Sequence, residues 1–370
     1  MDATPTCSAL DEWEVVERLL PAGWREQART LGALRRARNV PDAGVLLRIL
    51  MVHLADGCSL VETAARAAQL GWCDITPVAV FKRLQAAEQW LRWMAEHLWH
   101  TRRSRIVVAG RRVRAMDATA VTESGRTGSE YRIHYALDLA DLRCDHFELT
   151  DNRTGESLQR LPVQKNDLIL GDRGLARAPG IVNVIGRGAD VLMRASPRNL
   201  PLFERNGRQI NTVARLRRLR VGGILDQTAC VRGGEKVVCG RMVAIKRSRR
   251  ATMLARRRVV RKAQKNGDSP PSKRALDSAG YVVIWTSIGR DELTAKRVLE
   301  LYRLRWQIEL TFKRCKSILG LGQLPKHADA SSRAWLHGKL LVAMLVEKLI
   351  EDADAFSPWG YALEAPEPLA

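Results

Sequence analysis

Three acidic residues stand where carboxylates could act together on a phosphodiester. Asp117 ends the strand-like run RVRAMD, Asp172 directly follows the apolar run LILG, and Glu309 lies inside a long helical pattern. Carboxylates at the ends of neighbouring strands, joined by one from a helix packed beside them, can converge on one rim of a sheet. Such a set suits hard divalent cations. Mg²⁺ takes oxygen ligands and keeps several waters, so two or three carboxylates plus substrate phosphate oxygens complete its shell. Two such ions about 3.5–4 Å apart activate an attacking oxygen and stabilise a leaving one during in-line displacement at phosphorus.

The helical pattern adds a second line of argument. At about 100° per residue, Tyr302, Arg305, Glu309 and Lys316 fall within an arc of about 60°. Leu301, Leu304, Ile308, Cys315 and Leu319 form the adjoining apolar stripe. A carboxylate at the border of a buried face can hold a metal while phenol, guanidinium and ammonium groups hold phosphates beside it. The plainer alternative is that Arg305 and Glu309 are an i,i+4 surface pair worth about 0.2–0.5 kcal/mol.

The elements that must position these residues are legible in outline. Residues from about 10 to 100 read as helical: VLLRILMVHLADG stops at Gly57, Ser59 caps SLVETAARAAQLG, and Thr76-Pro77 opens a further helix. The pair around Gly71, with Lys82 and Arg83 early in its second member, is compatible with a DNA-binding helix-turn-helix or with a plain helical bundle. Trp90, Trp93 and Trp99 read as core. RIVVAG, RVRAMDATAV, YRIHYALDLA and RCDHFELTD then read as strands, ESLQRLP as a short helix, DLILGD as a buried strand, GIVNVIGRGAD as a helix and VLMRA as a strand. That order predicts a mixed sheet with helices on its faces. Asp138, Asp141, Asp145 and Asp151 lie in or near the strand hairpin, where turn formation or solvent exposure is expected, and His134 and His146 are ordinary strand residues; Thr119 shares the face of Asp117.

Composition points to the partner. The chain has 370 residues, 46% hydrophobic and 27% charged, which excludes a disordered or mini-protein class and allows two to three domains. No apolar run approaches the roughly 18 residues of a membrane span, and MDATPTCSAL lacks the features of a secretion signal, so a cytoplasmic protein without membrane partners is expected. The seven cysteines are scattered with no C-x-x-C pair, so a reduced, structural set is expected, without disulfides or zinc. The formal charge is +21, and residues 196–280 alone carry +17, a balance that favours polyanions. Within that segment RLRRLRVGG, IKRSRR and ARRRVVRK suit a small twisted β subdomain or an extended arm, or else a solvated charged loop; Arg256, Arg257 and Arg258 are its densest cluster. Beyond it YVVIWTSI reads as a buried strand, ELTAKRVLELYRLRWQIELTFKRCKSILG as one long helix ending at Gly320, and HADASSRAWLHGKLLVAMLVEKLI as a last amphipathic helix before an acidic tail.

MDAT around Asp117, LGDRG around Asp172 and Y-x2-R-x3-E-x6-K at Tyr302, Arg305, Glu309 and Lys316 together resemble the DDE transposases of the insertion-sequence-four family of bacterial mobile elements. The resemblance runs from Arg105 to Leu324, about 60% of the chain. It implies a ribonuclease-H-like α/β fold, a mixed sheet with a basic β-rich insertion between the second aspartate and the glutamate, preceded by an all-helical N-terminal domain. The corresponding division is a helical DNA-binding domain at 1–103, the first part of the catalytic core at 104–196, the insertion at 197–280, the rest of the core at 281–325, and the C-terminal helix and tail at 326–370. It further implies cut-and-paste transposition, with two Mg²⁺ ions, replaceable by Mn²⁺, held by Asp117, Asp172 and Glu309. Phosphate contacts would come from Tyr302, Arg305, Lys316 and Arg173. The partners would be double-stranded DNA with terminal inverted repeats, target DNA, and a second copy of the chain in a homodimer. The family often has tyrosine where this chain has Leu175, and its hairpin-forming members stack a flipped base on an aromatic residue, for which Tyr281 and Trp285 are the candidates here; core packing is the plainer reading of Trp285. A structure-selective nuclease on the same core, or a non-catalytic DNA-binding regulator, would share many of these features.

Overall fold

Helices open the described chain, and several begin where the sequence offers a cap. They are α1 (Glu12–Leu19), α2 (Trp24–Thr30), α3 (Ala43–Leu54), α4 (Leu60–Gln69), α5 (Pro77–Ala86) and α6 (Glu88–His100). Asp42 caps α3 through the amides of Gly44 and Val45, Ser59 and Glu62 form a reciprocal capping box on α4, and Thr76 precedes Pro77 at the start of α5. A computed structural model of the chain describes residues 12–37, 39–100, 108–123, 130–325 and 328–355. RIVVAG and the acidic tail fall largely outside these residues, as does the side chain of Trp99.

The sheet follows the alternation in the sequence. β1 (Arg112–Glu123), β2 (Tyr131–Asp138) and β3 (Arg143–Asp151) form an antiparallel meander; β4 (Asp167–Gly171) and β5 (Asp190–Arg194) run parallel to β1, with α7 (Ala178–Gly186) as their crossover. β4 is buried along its whole length, as an inner parallel strand covered on both faces should be. ESLQRLP supplies only a 3₁₀ turn at Leu158–Arg160.

Residues 197–280 differ from the expected β-rich arm. They contain α8 (Thr212–Arg217), a hairpin of β6 (Ile224–Gly233) and β7 (Lys236–Lys246), then α9 (Arg249–Asn266) and α10 (Lys273–Ser278). The run ARRRVVRK is thus helical: Ser248 caps α9, Gly267 ends it at φ +68°, and no glycine or proline interrupts the eighteen residues between. The hairpin extends the main sheet, because β8 (Tyr281–Thr286) pairs with both β5 and β7, giving the order β3-β2-β1-β4-β5-β8-β7-β6. Cys230 and Cys239 are direct partners across the hairpin and are joined as a disulfide, contrary to the expectation of a fully reduced set. Strand register, which spacing along the chain does not reveal, brings them together.

The long helix expected over ELTAKRVLELYRLRWQIELTFKRCKSILG is two helices, α11 (Ala295–Arg303) and α12 (Trp306–Ser317). At the junction Leu304 N bonds Leu301 O, Arg305 N bonds Tyr302 O, and Gln307 N bonds Leu304 O. These are i→i−3 bonds, an overwound turn that needs neither glycine nor proline. β9 (Gln323–Leu324) then pairs with the end of β1, and α13 (Asp329–Ala355) closes the described chain. Two cores flank the sheet. One unites α1–α6, α11, α12 and α13 with one face, with Trp90, Leu50, Leu170, Ile308 and Leu341 among its buried members; the other packs α7 and α8 on the opposite face around Ile169, Val191 and Trp285. Trp90 is wholly buried and Trp93 half-buried. Among the described residues no helix is long and apolar enough to cross a membrane.

Candidate active site

The carboxylates meet because of strand register. In the parallel pair β1–β4 the last matched residues are Met116 and Gly171, so Asp172, just past the end of β4, adjoins Asp117. Asp117 lies within β1 rather than at the strand end the sequence suggested, because β1 runs on to Glu123, paired with β2 and then β9. Side chains alternate along a strand. Val113, Ala115 and Val121 on β1, and Leu168 and Leu170 on β4, belong to the core beneath α11 and α12, so Asp117 and Asp172 share that side; Thr119 does too and is buried. The Asp117 Oδ1 accepts the Ala118 amide at 2.8 Å, and Asp172 Oδ1 accepts the amides of Gly174 and Leu175 at 2.6 and 3.3 Å.

Arg305 gathers the third acid. From the overwound junction its Nη1 reaches Asp117 Oδ2 at 3.3 Å, while its Nη2 donates to Glu309 Oε1 one turn into α12. The surface-pair alternative therefore fails for Arg305: its side chain is 12% exposed and bridges β1 to α12. Lys316, two turns further on, donates from Nζ to the Ala120 carbonyl of β1 at 3.1 Å. Tyr302, at the end of α11, is buried and carries the Arg305 guanidinium 6.0 Å from its ring centroid. The four residues expected on one helical face thus come from two helices and the turn between them.

Burial and like charge set the electrostatics. Asp117 is pushed up to about 7, first by desolvation and then by repulsion from Asp172, against the pull of its amide contact and Arg305. Glu156, just ahead of the 3₁₀ turn, belongs to the same acidic group: burial and Asp172 raise it, and its Oε2 lies where a Cβ on Gly174 would fall, 2.7 Å away. Sequence reading passed over Glu156, which it placed at the start of the short helix expected over ESLQRLP; the structure leaves it ahead of the 3₁₀ turn at Leu158–Arg160. The donor set is all oxygen, with mutual repulsion that Arg305 partly relieves, which fits hard divalent cations. Among the described residues no three acids, histidines or cysteines gather closely enough to hold a metal ion.

The other expected contact residues are dispersed. Arg173 is half-buried and held down to about 10 by desolvation and by Arg194, so it stays charged at neutral pH. Arg256, Arg257 and Arg258 are exposed on α9, where Arg256 is tied to the Leu276 carbonyl at 3.1 Å and to Asp277 at 3.5 Å. Arg256, Arg257 and Arg261 line a groove of about 880 Å³ with Lys246, Arg247 and Arg249. On α5 Lys82 is exposed and Arg83 donates to the Arg36 carbonyl at 3.2 Å. Trp285 is wholly buried, its indole N–H bonded to the Ala229 carbonyl at 2.9 Å, and Tyr281 is buried in the same core. Sequence reading also missed Arg194 and Arg247, which reach the cleft from the ends of β5 and β7. Arg194 carried a signal, because ligand groups collect at the carboxyl ends of parallel strands.

Comparison with known proteins agrees with this geometry. A family model described as "Transposase DDE domain" matches residues 108–345. The chain is 30% identical over 357 residues to the putative transposase InsL for insertion sequence element IS186A of Escherichia coli (strain K12), covering 94% of this chain and 96% of that protein. It is likewise 30% identical over 358 residues to the transposase for insertion sequence element IS421 of Escherichia coli. A shorter stretch of 137 residues is 27% identical to the transposase for insertion sequence element IS231F of Bacillus thuringiensis subsp. israelensis. The family match spans more than half of the chain and includes Asp117, Asp172 and Glu309. With this sheet, this site and these relatives, the chain belongs to the DDE-domain transposases of insertion sequences.

Proposed function

We propose that this transposase binds the terminal inverted repeats of its element, excises the element by cut-and-paste chemistry and joins the freed ends to target DNA. The observation that carries the reading is the bridge from Asp117 through Arg305 to Glu309, beside Asp172 on the adjoining strand end. Asp117, Asp172 and Glu309 would hold two Mg²⁺ ions, with Mn²⁺ an acceptable substitute. When bound, such ions supply a nucleophilic oxygen at neutral pH and stabilise the oxygen that departs from phosphorus.

The chain's own residues do the rest. Arg305 neutralises Asp117 and Glu309 before DNA arrives and turns toward a strand phosphate when cations take over that role. Lys316 and Arg173 steady neighbouring phosphates, and Tyr302 fixes the orientation of Arg305 through its ring. Arg257 lines the groove along α9 and Arg258 is exposed on the same helix, so both would follow the DNA backbone. The helices of residues 1–103, with Lys82 exposed on α5, would read the repeat, and residues 197–280 would act as the basic insertion of the catalytic core. Two ends cut together call for two copies of the chain on DNA. Tyr281 and Trp285, both in the core, would reach a flipped base only after rearrangement, so an end closed as a hairpin is a secondary feature of the proposal.

The test is a plasmid carrying the element's ends, incubated with protein and Mg²⁺. Excised element and new insertions are expected, and Asp172→Ala should abolish both while leaving DNA binding. Cutting without joining would indicate a nuclease. Full activity in Asp172→Ala would overturn the assignment of the carboxylates.

A further inference from the structure

A cystine sits where the basic insertion meets the loop that leads to the signature helices. Both backbone groups of Cys230 bond Phe203, the amide at 2.7 Å and the carbonyl at 2.9 Å. Cys230 and Cys239 are therefore a non-hydrogen-bonded pair of the hairpin, the kind whose side chains come closest. Pairing of β7 with β8 ends at Arg241 and Thr286. Residues 230–239 thus project past β8 as a tip, and the cystine closes its base.

The next residue on the same face of β7 is the buried Arg241. Its Nε donates to the Ile288 carbonyl at 2.9 Å, its Nη1 to Asp226 Oδ2 at 2.7 Å, and its Nη2 to the Leu293 carbonyl. Asp226 belongs to β6, and its own carbonyl accepts Arg290 at 2.8 Å. Both strands of the hairpin therefore hold the loop from Ser287 to Leu293, and Thr294 at its end caps α11. The other side of the loop is tied to Asp190 and Arg111 through Ser287 and Glu292, so losing the Arg241 grip loosens the loop without unfolding it. Between Cys239 and Arg241, a Cβ on Gly240 would meet the Thr286 carbonyl oxygen at 2.2 Å, so the base of the tip lies directly on β8. A change in how β6 and β7 sit on one another has to be taken up by this loop, and then by α11 with Tyr302 and Arg305.

The two sulfurs differ in access. Cys230 is 1% exposed, whereas Cys239 is exposed. Arg232 and Lys236 against Glu235 leave the tip positive, which favours a thiolate at Cys239. A transposase works on the cell's DNA, in a compartment whose thiols are kept reduced, and cystines found there are usually redox-responsive or catalytic. We propose that Cys230 and Cys239 form a reversible dithiol and disulfide couple, in which the bond secures the insertion's grip on the loop before α11 and its reduction loosens that grip and slows DNA cutting. The effect on cutting rests on the transposase reading above. Reduction takes two exchanges. The thiolate of a small thiol such as glutathione attacks the exposed Cys239 sulfur, and Cys230 leaves with the electron pair of the broken bond and takes up a proton. A second glutathione thiolate attacks the glutathione sulfur of the mixed disulfide, Cys239 leaves as thiolate, and oxidised glutathione departs; two electrons have passed from two thiols to the protein.

The experiment uses the full chain, free of metal, equilibrated in glutathione buffers from oxidising to reducing. Alkylation with mass spectrometry reports the state of Cys230 and Cys239, and hydrogen exchange reports the loop. The pair is expected to pass from bonded to free over that range, and amides of residues 288–294 to exchange about tenfold faster in the reduced form. In Cys239→Ser their exchange should not respond to glutathione. A bond that glutathione leaves intact, cysteines that never join, or faster exchange confined to residues 230–239 would overturn the proposal; the wild-type comparison needs no variant to fold. Cutting of an element end with Mg²⁺ is measured in both states and should be several-fold slower after reduction. Equal cutting in both states would overturn the redox control and leave the transposase reading standing. No cutting in either state would count against that reading, and the exchange result would still decide the couple.

Discussion

Replacing Asp117 by Asn removes a buried negative charge that Asp172 opposes, and should stabilise the metal-free protein at alkaline pH. The Asp117 carboxyl ordinarily titrates at 3.8 and is raised to about 7 in the fold. Each tenfold change in proton affinity is worth about 1.4 kcal/mol, so ionised Asp117 costs the fold at most about 4 kcal/mol. Its side chain is 18% exposed; screening and local relaxation reduce the expected gain to about 2 kcal/mol. Because the folded value lies above the unfolded one, wild type has this part of its stability in full below pH 4 and loses it as pH rises toward 7. Unfolding entropy of about 2.1 cal/mol/K per residue gives about 0.8 kcal/mol/K for 370 residues, so Asp117→Asn should raise Tm by about 2–3 °C at pH 8 in chelator. Scanning calorimetry at pH 5 should show a gain less than half as large. With Mg²⁺ the order at pH 8 should reverse, since the ion relieves the repulsion only in wild type. The same Tm difference at pH 5 and pH 8, or a loss at pH 8 in chelator, would refute the reasoning.

Further outcomes follow from the same geometry. Mg²⁺ binding at pH 7 should release about half a proton from Asp117, falling toward zero at pH 9, as read by titration calorimetry in buffers of different ionisation enthalpy; no buffer dependence would count against the raised carboxyl. Arg257→Gln/Arg258→Gln should weaken binding to every DNA sequence alike and lower the salt slope by about 1.8, measured by anisotropy from low to high salt. Arg256→Gln should do less, since that side chain is already held by Leu276 and Asp277. Gly240→Ala places a methyl 2.2 Å from the Thr286 carbonyl oxygen and 2.8 Å from the Trp285 ring, so β7 must shift against β8. A loss of about 2–3 kcal/mol in urea unfolding is expected.

Much of the site was legible because local chemistry and strand pattern agreed. LILGD ends an apolar run at an acid and RVRAMD carries one within an alternating strand, and the fold needs only parallel register to set those acids side by side. Other features depend on register or packing that spacing does not encode. The split between α11 and α12 lies in a run without glycine or proline, and an interaction across space, Arg305 with Asp117, accompanies the overwound turn. α9 was hidden by its charge: its apolar residues are few and none is fully buried, so its helical character rests on capping and backbone propensity. Glu156 was hidden because only the fold brings it beside Asp172, and the Cys230–Cys239 bond by the hairpin that makes them partners.

Anomalous diffraction at the manganese edge, from crystals of the full chain with Mn²⁺ and a duplex of the element's end, addresses the carboxylate cleft itself. Two peaks are expected among Asp117, Asp172 and Glu309, with the Arg305 guanidinium turned from the acids to a DNA phosphate. Manganese bound elsewhere, with Arg305 still bridging Asp117 and Glu309 over the DNA, would contradict the assignment.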